Sequence, residues 1–249
     1  MTGERAKKIL LPLVFWLGVW WLCALAVGKE LILPTPLAVL ERLLELLPTA
    51  DFWQSVGASV GRILAGFLLG SLLGVALGVA TAASKWGDAL LSPALRAVRT
   101  VPVVSFILLL FFSLPTHRVP TVVSALMALP VVWRAARQGI ADADPQLLEL
   151  AGHYRMGLWR KVRLVYLPAA LPALAAGWET ALGLAWKSGV AAEVLCQPKW
   201  GAGSQLQAAK AYLDAPGLFA WTAVIVLLSL GMEWFLRLCL RVWRGGGKT

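Results

Sequence analysis

The chain has 249 residues, of which 59% are hydrophobic and only 14% charged, and its mean hydropathy is +0.74. That composition excludes a soluble domain and leaves room for several membrane spans in a single all-α, polytopic bundle. The net charge of +10 gathers beside apolar segments instead of interleaving with polar ones, so it reads as membrane orientation and not as nucleic-acid binding.

Six stretches approach the ~20 apolar residues that a membrane-crossing helix needs: 9–28, 60–83, 100–114, 119–136, 165–186 and 217–238. The first follows Arg5, Lys7 and Lys8 and contains Trp16, Trp20 and Trp21. Its apolar run is longer than a signal-peptide core, so it is expected to be a retained anchor despite the cleavage-like Ala24-Leu25-Ala26. In the second span, Gly66, Gly70, Gly74 and Gly78 recur every fourth residue. That spacing lays a smooth groove along one helix face, suited to close packing within the subunit more than to a dimer seam. The third span, 100–114, is short.

Between the fourth and fifth spans lies a polar, basic segment, 137–164. Asp144 and Pro145 make a good helix start, because Asp can cap free backbone N–H groups and Pro suits the first helical position. On the helix that follows, Leu147, Leu150, Ala151, Tyr154 and Leu158 share one face, and Arg155, Arg160, Lys161 and Arg163 form a basic run. Such a stripe could rest on anionic lipid, fold back on the bundle, or insert into a groove of a cytoplasmic protein. After the fifth span, the segment from Gln197 is polar and Gly-rich and then helical over Ser204–Leu213, with Pro216 stopping that helix.

Lys and Arg are in excess in 1–8, 84–99, 134–163 and 233–249, whereas 29–51 is net acidic. The alternation places both termini and the 137–164 loop in the cytoplasm of a multi-pass protein of the bacterial plasma membrane. The 29–58 and 197–216 segments then face outward. Most of the 13 tryptophans fall near span ends, as interfacial anchors do. The three cysteines, Cys23, Cys196 and Cys239, have no paired spacing, and the two histidines, His117 and His153, fall on opposite sides of the membrane. Neither a disulfide framework, a metal site nor a catalytic constellation is expected.

The basic loop resembles the signature of permease subunits of ABC importers: Glu-Ala-Ala, three residues, Gly, nine residues, an aliphatic residue, one residue, then Leu-Pro. Glu149, Ala151, Val165, Leu167 and Pro168 stand in that register, with Leu150 at the second position and Arg155 where the family has its central glycine. Glycine there would allow a bend with positive φ and arginine disfavours one, so the turn is expected to shift to Gly157 or change shape. Leu33-Pro34-Thr35-Pro36, Ser59 with Arg62 and Gly66, Val101-Pro102 and Ala220-Trp221-Thr222 are similar to the nitrate, sulfonate and taurine branch of these permeases.

The resemblance implies a type I importer in which Glu149, Leu150, Ala151, Gly152, Tyr154, Arg155, Gly157, Leu167 and Pro168 couple the permease to an ATP-binding cassette ATPase. It also implies a second permease subunit, a homodimer by family analogy, and an extracytoplasmic solute-binding protein, all set in membrane lipid. No Gly-rich phosphate loop is present, so ATP is bound by the partner, and this chain is not an enzyme and needs no cofactor.

Ionisable residues in or beside the fifth span mark the pathway or gate, because charge is costly inside a membrane. They are Glu179, Lys187 and Glu193. Glu179 and Lys187, roughly 12 Å apart along a helix, are too far apart to pair on it. Arg62 is expected to anchor at the interface or pair with a buried carboxylate. The transported solute is expected to be small and anionic or heterocyclic. The rival reading is an ion-coupled secondary transporter, which would call for internal repeats that the chain does not display.

Overall fold

The computed structural model describes residues 2–245. The elements in chain order are α1 (Thr2–Val27), α2 (Pro36–Leu46), α3 (Ala50–Ala83), α4 (Lys85–Thr100), α5 (Val103–Ser113), α6 (Val119–Ala141), α7 (Pro145–His153), α8 (Leu158–Lys161), a π-turn (Val162–Tyr166), α9 (Leu167–Cys196), α10 (Ala202–Ala211) and α11 (Ala215–Gly245). All are helical, and their starts follow local chemistry. The Thr35, Thr49, Ser84 and Asp144 side chains each accept a backbone N–H in the first turn of α2, α3, α4 and α7, filling valences that the helix leaves open there.

Three helices, α3, α6 and α11, are long and apolar enough to cross a membrane by themselves, and α1 contributes the shorter apolar stretch Val14–Val27. The expected third span takes another form. Val101 and Pro102 break the chain into α4 and α5, which meet at 100°, so the basic segment 84–99 is helical. The 11 residues of α5 extend only about 16 Å, half of a hydrocarbon core. Together the two helices form either one broken span or a re-entrant loop. Pro102 is the reason for the break: it has no N–H to donate and pushes Val101 out of the helical region, to φ −74°, ψ 130°.

The core lies where α3, α6 and α9 pack together, around Ile63, Phe67, Val132, Ala181, Ala185 and Trp186. Lipid is as apolar as leucine, so burying area does not drive this packing; close approach and hydrogen bonds must. The glycine ladder of α3 provides the approach. A methyl group on Gly74 would sit 2.8 Å from the Leu129 carbonyl oxygen and 2.9 Å from Val132 Cβ on α6. Gly66, Gly70 and Gly78 are likewise closed by α6, so the ladder is spent on packing inside the subunit. Buried hydrogen bonds add to it: Trp133 Nε1 donates to Thr81 Oγ1 at 3.0 Å, Ser124 Oγ to the Ala185 carbonyl at 3.0 Å, and Trp186 Nε1 to the Ile225 carbonyl at 3.1 Å.

Candidate functional site

The basic loop folds into a short helix with a sharply defined end. Asp144 caps α7, its Oδ1 accepting from Gln146 N at 2.8 Å, and Pro145 occupies the first turn. At the other end Met156 N donates to the Ala151 carbonyl at 3.0 Å and Arg155 N to the Gly152 carbonyl at 2.9 Å. These two bonds form the six-to-one and five-to-two pair of a Schellman termination, which needs a left-handed residue after the helix. That residue is Arg155, at φ 46°. The expected shift of the bend to Gly157 does not occur: Gly157 has φ −62°, ψ 157° and caps α8. Two backbone hydrogen bonds outweigh the local steric cost of a side chain at positive φ.

Of the α7 side chains only Ala151 is buried, at 2% exposure. Leu147, Leu150, Tyr154 and Leu158, the rest of the apolar stripe, are 47–77% exposed. The chain therefore does not fold this stripe back on its own bundle. Glu149, Gly152, Arg155 and Gly157 are exposed beside it. Beyond α8 the chain passes through the π-turn, where Leu167 N bonds to the Val162 carbonyl, and Pro168 follows in the first turn of α9. Proline lacks an N–H and crowds the carbonyl four residues back, and the wider turn accommodates it.

The three ionisable residues of α9 separate into two groups. Glu179 and Lys187 are exposed, on a face shared with Ala176, Thr180 and Leu184. Glu193 is 0% exposed, enclosed at the opposite end of the bundle from α7. Its Oε1 accepts from Arg62 Nη1 at 2.7 Å, and its Oε2 from Ser59 Oγ at 2.6 Å and from Gly203 N at 3.1 Å. Arg62 also donates from Nη2 to the Trp200 carbonyl, and Ser59 Oγ accepts from Ala202 N at 2.8 Å. Sequence reasoning allowed Arg62 a carboxylate partner without saying which one. The part played by the backbone of 200–203 left no sequence signal beyond the glycines at 201 and 203.

A second ion pair spans the same end, with Arg42 Nη2 2.9 Å from Asp214 Oδ2 and Arg42 Nη1 2.8 Å from Glu45 Oε2. It borders a cavity of about 650 Å³ between α2, α10 and the start of α11. The hydrogen bonds that Arg42 donates to Glu45 and then Asp214 hold its guanidinium above its ordinary range, so it remains charged at any physiological pH.

Residues 55–244 match the family described as binding-protein-dependent transport system inner membrane component. The chain belongs to this family. It is 32% identical over 225 residues to the riboflavin transport system permease protein RibX of Chloroflexus aurantiacus, covering 89% of this chain and 82% of the relative. It is 29% identical over 230 residues to the taurine transport system permease protein TauC of Escherichia coli, with 89% and 82% covered. A putative aliphatic sulfonates transport permease protein, SsuC of Bacillus subtilis, is 29% identical over 235 residues, with 93% and 84% covered. Among solved structures, the fold is similar to a chain of the inward-facing MetNI methionine ABC transporter, with TM-score 0.59 and 18% identity, covering 76% of this chain and 93% of that one. A chain of an amino acid ABC transporter crystallised with histidines gives TM-score 0.58 at 18% identity, covering 78% and 92%. The chain is thus a permease subunit of a binding-protein-dependent ABC importer.

Proposed function

We propose that this permease pairs with a second copy of itself, docks α7 into a groove of a cytoplasmic ATPase, and receives its solute outside from a soluble binding protein. The observation that supports this reading best is the α7 stripe. A helix capped at both ends, with Ala151 buried, Leu147 and Leu150 exposed on it and Tyr154 and Leu158 exposed just beyond its end, is shaped to enter a partner's groove by its apolar side chains. The excess of Lys and Arg at that end of the bundle favours a cytoplasmic position for the loop and for both termini.

ATP binding by the partner then moves α7. The Schellman turn at Arg155 and the π-turn before Pro168 transmit that movement to α9, whose exposed face bears Glu179 and Lys187. On this reading the face lines the solute path between the two copies. Its separate acid and base suit a small charged or zwitterionic solute, and the relatives' names point to sulfonates, taurine or a heterocycle such as riboflavin.

Coexpression of the chain with an ATP-binding cassette ATPase from the same organism tests the reading. The two should copurify from membranes, and Glu149→Arg should abolish that association without reducing membrane insertion. An ATPase that associates equally with the variant overturns the assignment of α7.

A further inference from the structure

We propose that Glu193 is the remote N-terminal cap of α10 and that, with Ser59 and Arg62, it fastens α10 to α3 and α9, so that the three shift as one body during transport. The proposal rests on the permease reading for its meaning, but the fastening itself can be tested without it.

A helix leaves its first N–H groups without partners inside the helix, and α10 has no side chain of its own to satisfy them. Its capping position is Gly201, and no local side-chain cap bond is made. The partners come from other helices instead. Ser59 of α3 accepts from Ala202 N, and Glu193 of α9 accepts from Gly203 N. The carboxylate thus sits at the positive end of the α10 dipole, where negative charge is favoured. Arg62 completes the arrangement by holding the carboxylate from one side and the Trp200 carbonyl, just before the helix, from the other.

A wholly buried carboxylate is tolerated only when it is paired and its lone pairs are engaged. Here one guanidinium, one hydroxyl and one backbone N–H do so, which ties the charge to the position of α10. Steric fit says the same independently. A methyl group on Gly201 would lie 2.9 Å from the Glu193 carboxyl carbon, and one on Gly203 would lie 2.7 Å from Glu193 Cβ. Both glycines leave the space that the carboxylate fills. At the other end of α10, Tyr212 and Leu213 are exposed and the Asp214–Arg42 pair is only partly buried. The buried polar attachment is therefore at the N-terminus of α10, to α3 and α9, beside apolar packing of Ala202 and Leu206 on Trp221 and Val224 of α11.

Gln205 Nε2 and Ser55 Oγ, 3.3 Å apart, supply a reporter. The full-length chain with Ser55→Cys and Gln205→Cys, and with the exposed Cys23 and Cys239 replaced by alanine, is oxidised with copper phenanthroline in nanodiscs, alone and assembled with its ATPase. The two cysteines should join at the same rate without nucleotide and with ATP trapped by vanadate. Glu193→Ala and Gly203→Val should slow joining at least tenfold in both states. Should Glu193→Ala fail to assemble, Glu193→Gln and Ser59→Ala, which keep the volume or leave no naked charge, should slow it severalfold. Unchanged rates in these variants overturn the proposal, as does joining in only one nucleotide state. A lowered melting temperature with an unchanged rate in the folded fraction reduces Glu193 to a stability role and overturns it too. If no ATPase assembles, the permease reading fails, while the rate in the chain alone still decides the fastening.

Discussion

Met156 N lies 3.0 Å from the Ala151 carbonyl oxygen, and this bond fixes where α7 ends. It requires a left-handed residue between the two, and the chain places Arg155 there at φ 46°. An arginine thus occupies a backbone position that favours glycine.

Arg155→Gly should therefore stabilise the permease. Left-handed backbone costs a residue with a Cβ about 1–2 kcal/mol, part of which is offset by the greater freedom of glycine in the unfolded chain. A rise in melting temperature of about 2–4 °C is expected for a chain of this size, with ATPase association unchanged. A fall would show that the arginine side chain contributes something the backbone account leaves out.

Ala151 predicts an opposite effect on the same helix. It is the one buried side chain of α7, and larger residues there must displace packed neighbours at about 1–3 kcal/mol. Ala151→Gln should shift α7 on the bundle, weakening both thermal stability and copurification of the ATPase. Leu150→Gln, at an exposed position, should weaken copurification alone.

The glycine ladder should be intolerant in order of closeness. Gly74→Val places branched carbons where a single Cβ already meets the Leu129 carbonyl and Val132. The variant should fail to accumulate in membranes, read by immunoblot against Gly61→Ala, whose Cβ meets nothing within 4 Å and which should accumulate normally.

The two ion pairs at the far end should differ in weight. Arg42 is partly exposed, and an exposed pair is worth about 0.2–1 kcal/mol, so Arg42→Ala should barely move the melting temperature. Asp214 also caps the chain into α11, accepting from Gly217 N at 2.8 Å. Losing that cap costs about 1 kcal/mol more, so Asp214→Ala should melt below Arg42→Ala. Removing Arg62 strands a buried carboxylate, at about 3–5 kcal/mol, and Arg62→Ala should be the least stable of the three in the same thermal scan.

Local patterns fixed much of this protein before any tertiary contact entered. Apolar runs marked the three helices long and apolar enough to cross by themselves, α3, α6 and α11, Asp144 and Pro145 set the start of α7, and the register of Glu149, Ala151, Leu167 and Pro168 set its kinship. Each is legible because it depends on neighbours within a few turns of one helix. Three features were decided only in three dimensions. The 100° break at Val101 and Pro102 made the basic segment 84–99 and the short third stretch one bent pair of helices. Backbone bonds around Arg155 overrode its steric preference and kept the bend where a glycine was missing. Glu193, grouped by sequence with Glu179 and Lys187 on α9, was withdrawn from that helix's exposed face by Arg62, a residue 131 positions earlier in the chain. A buried charge is governed by whichever partner the fold brings to it, and no spacing along one helix encodes a partner on another.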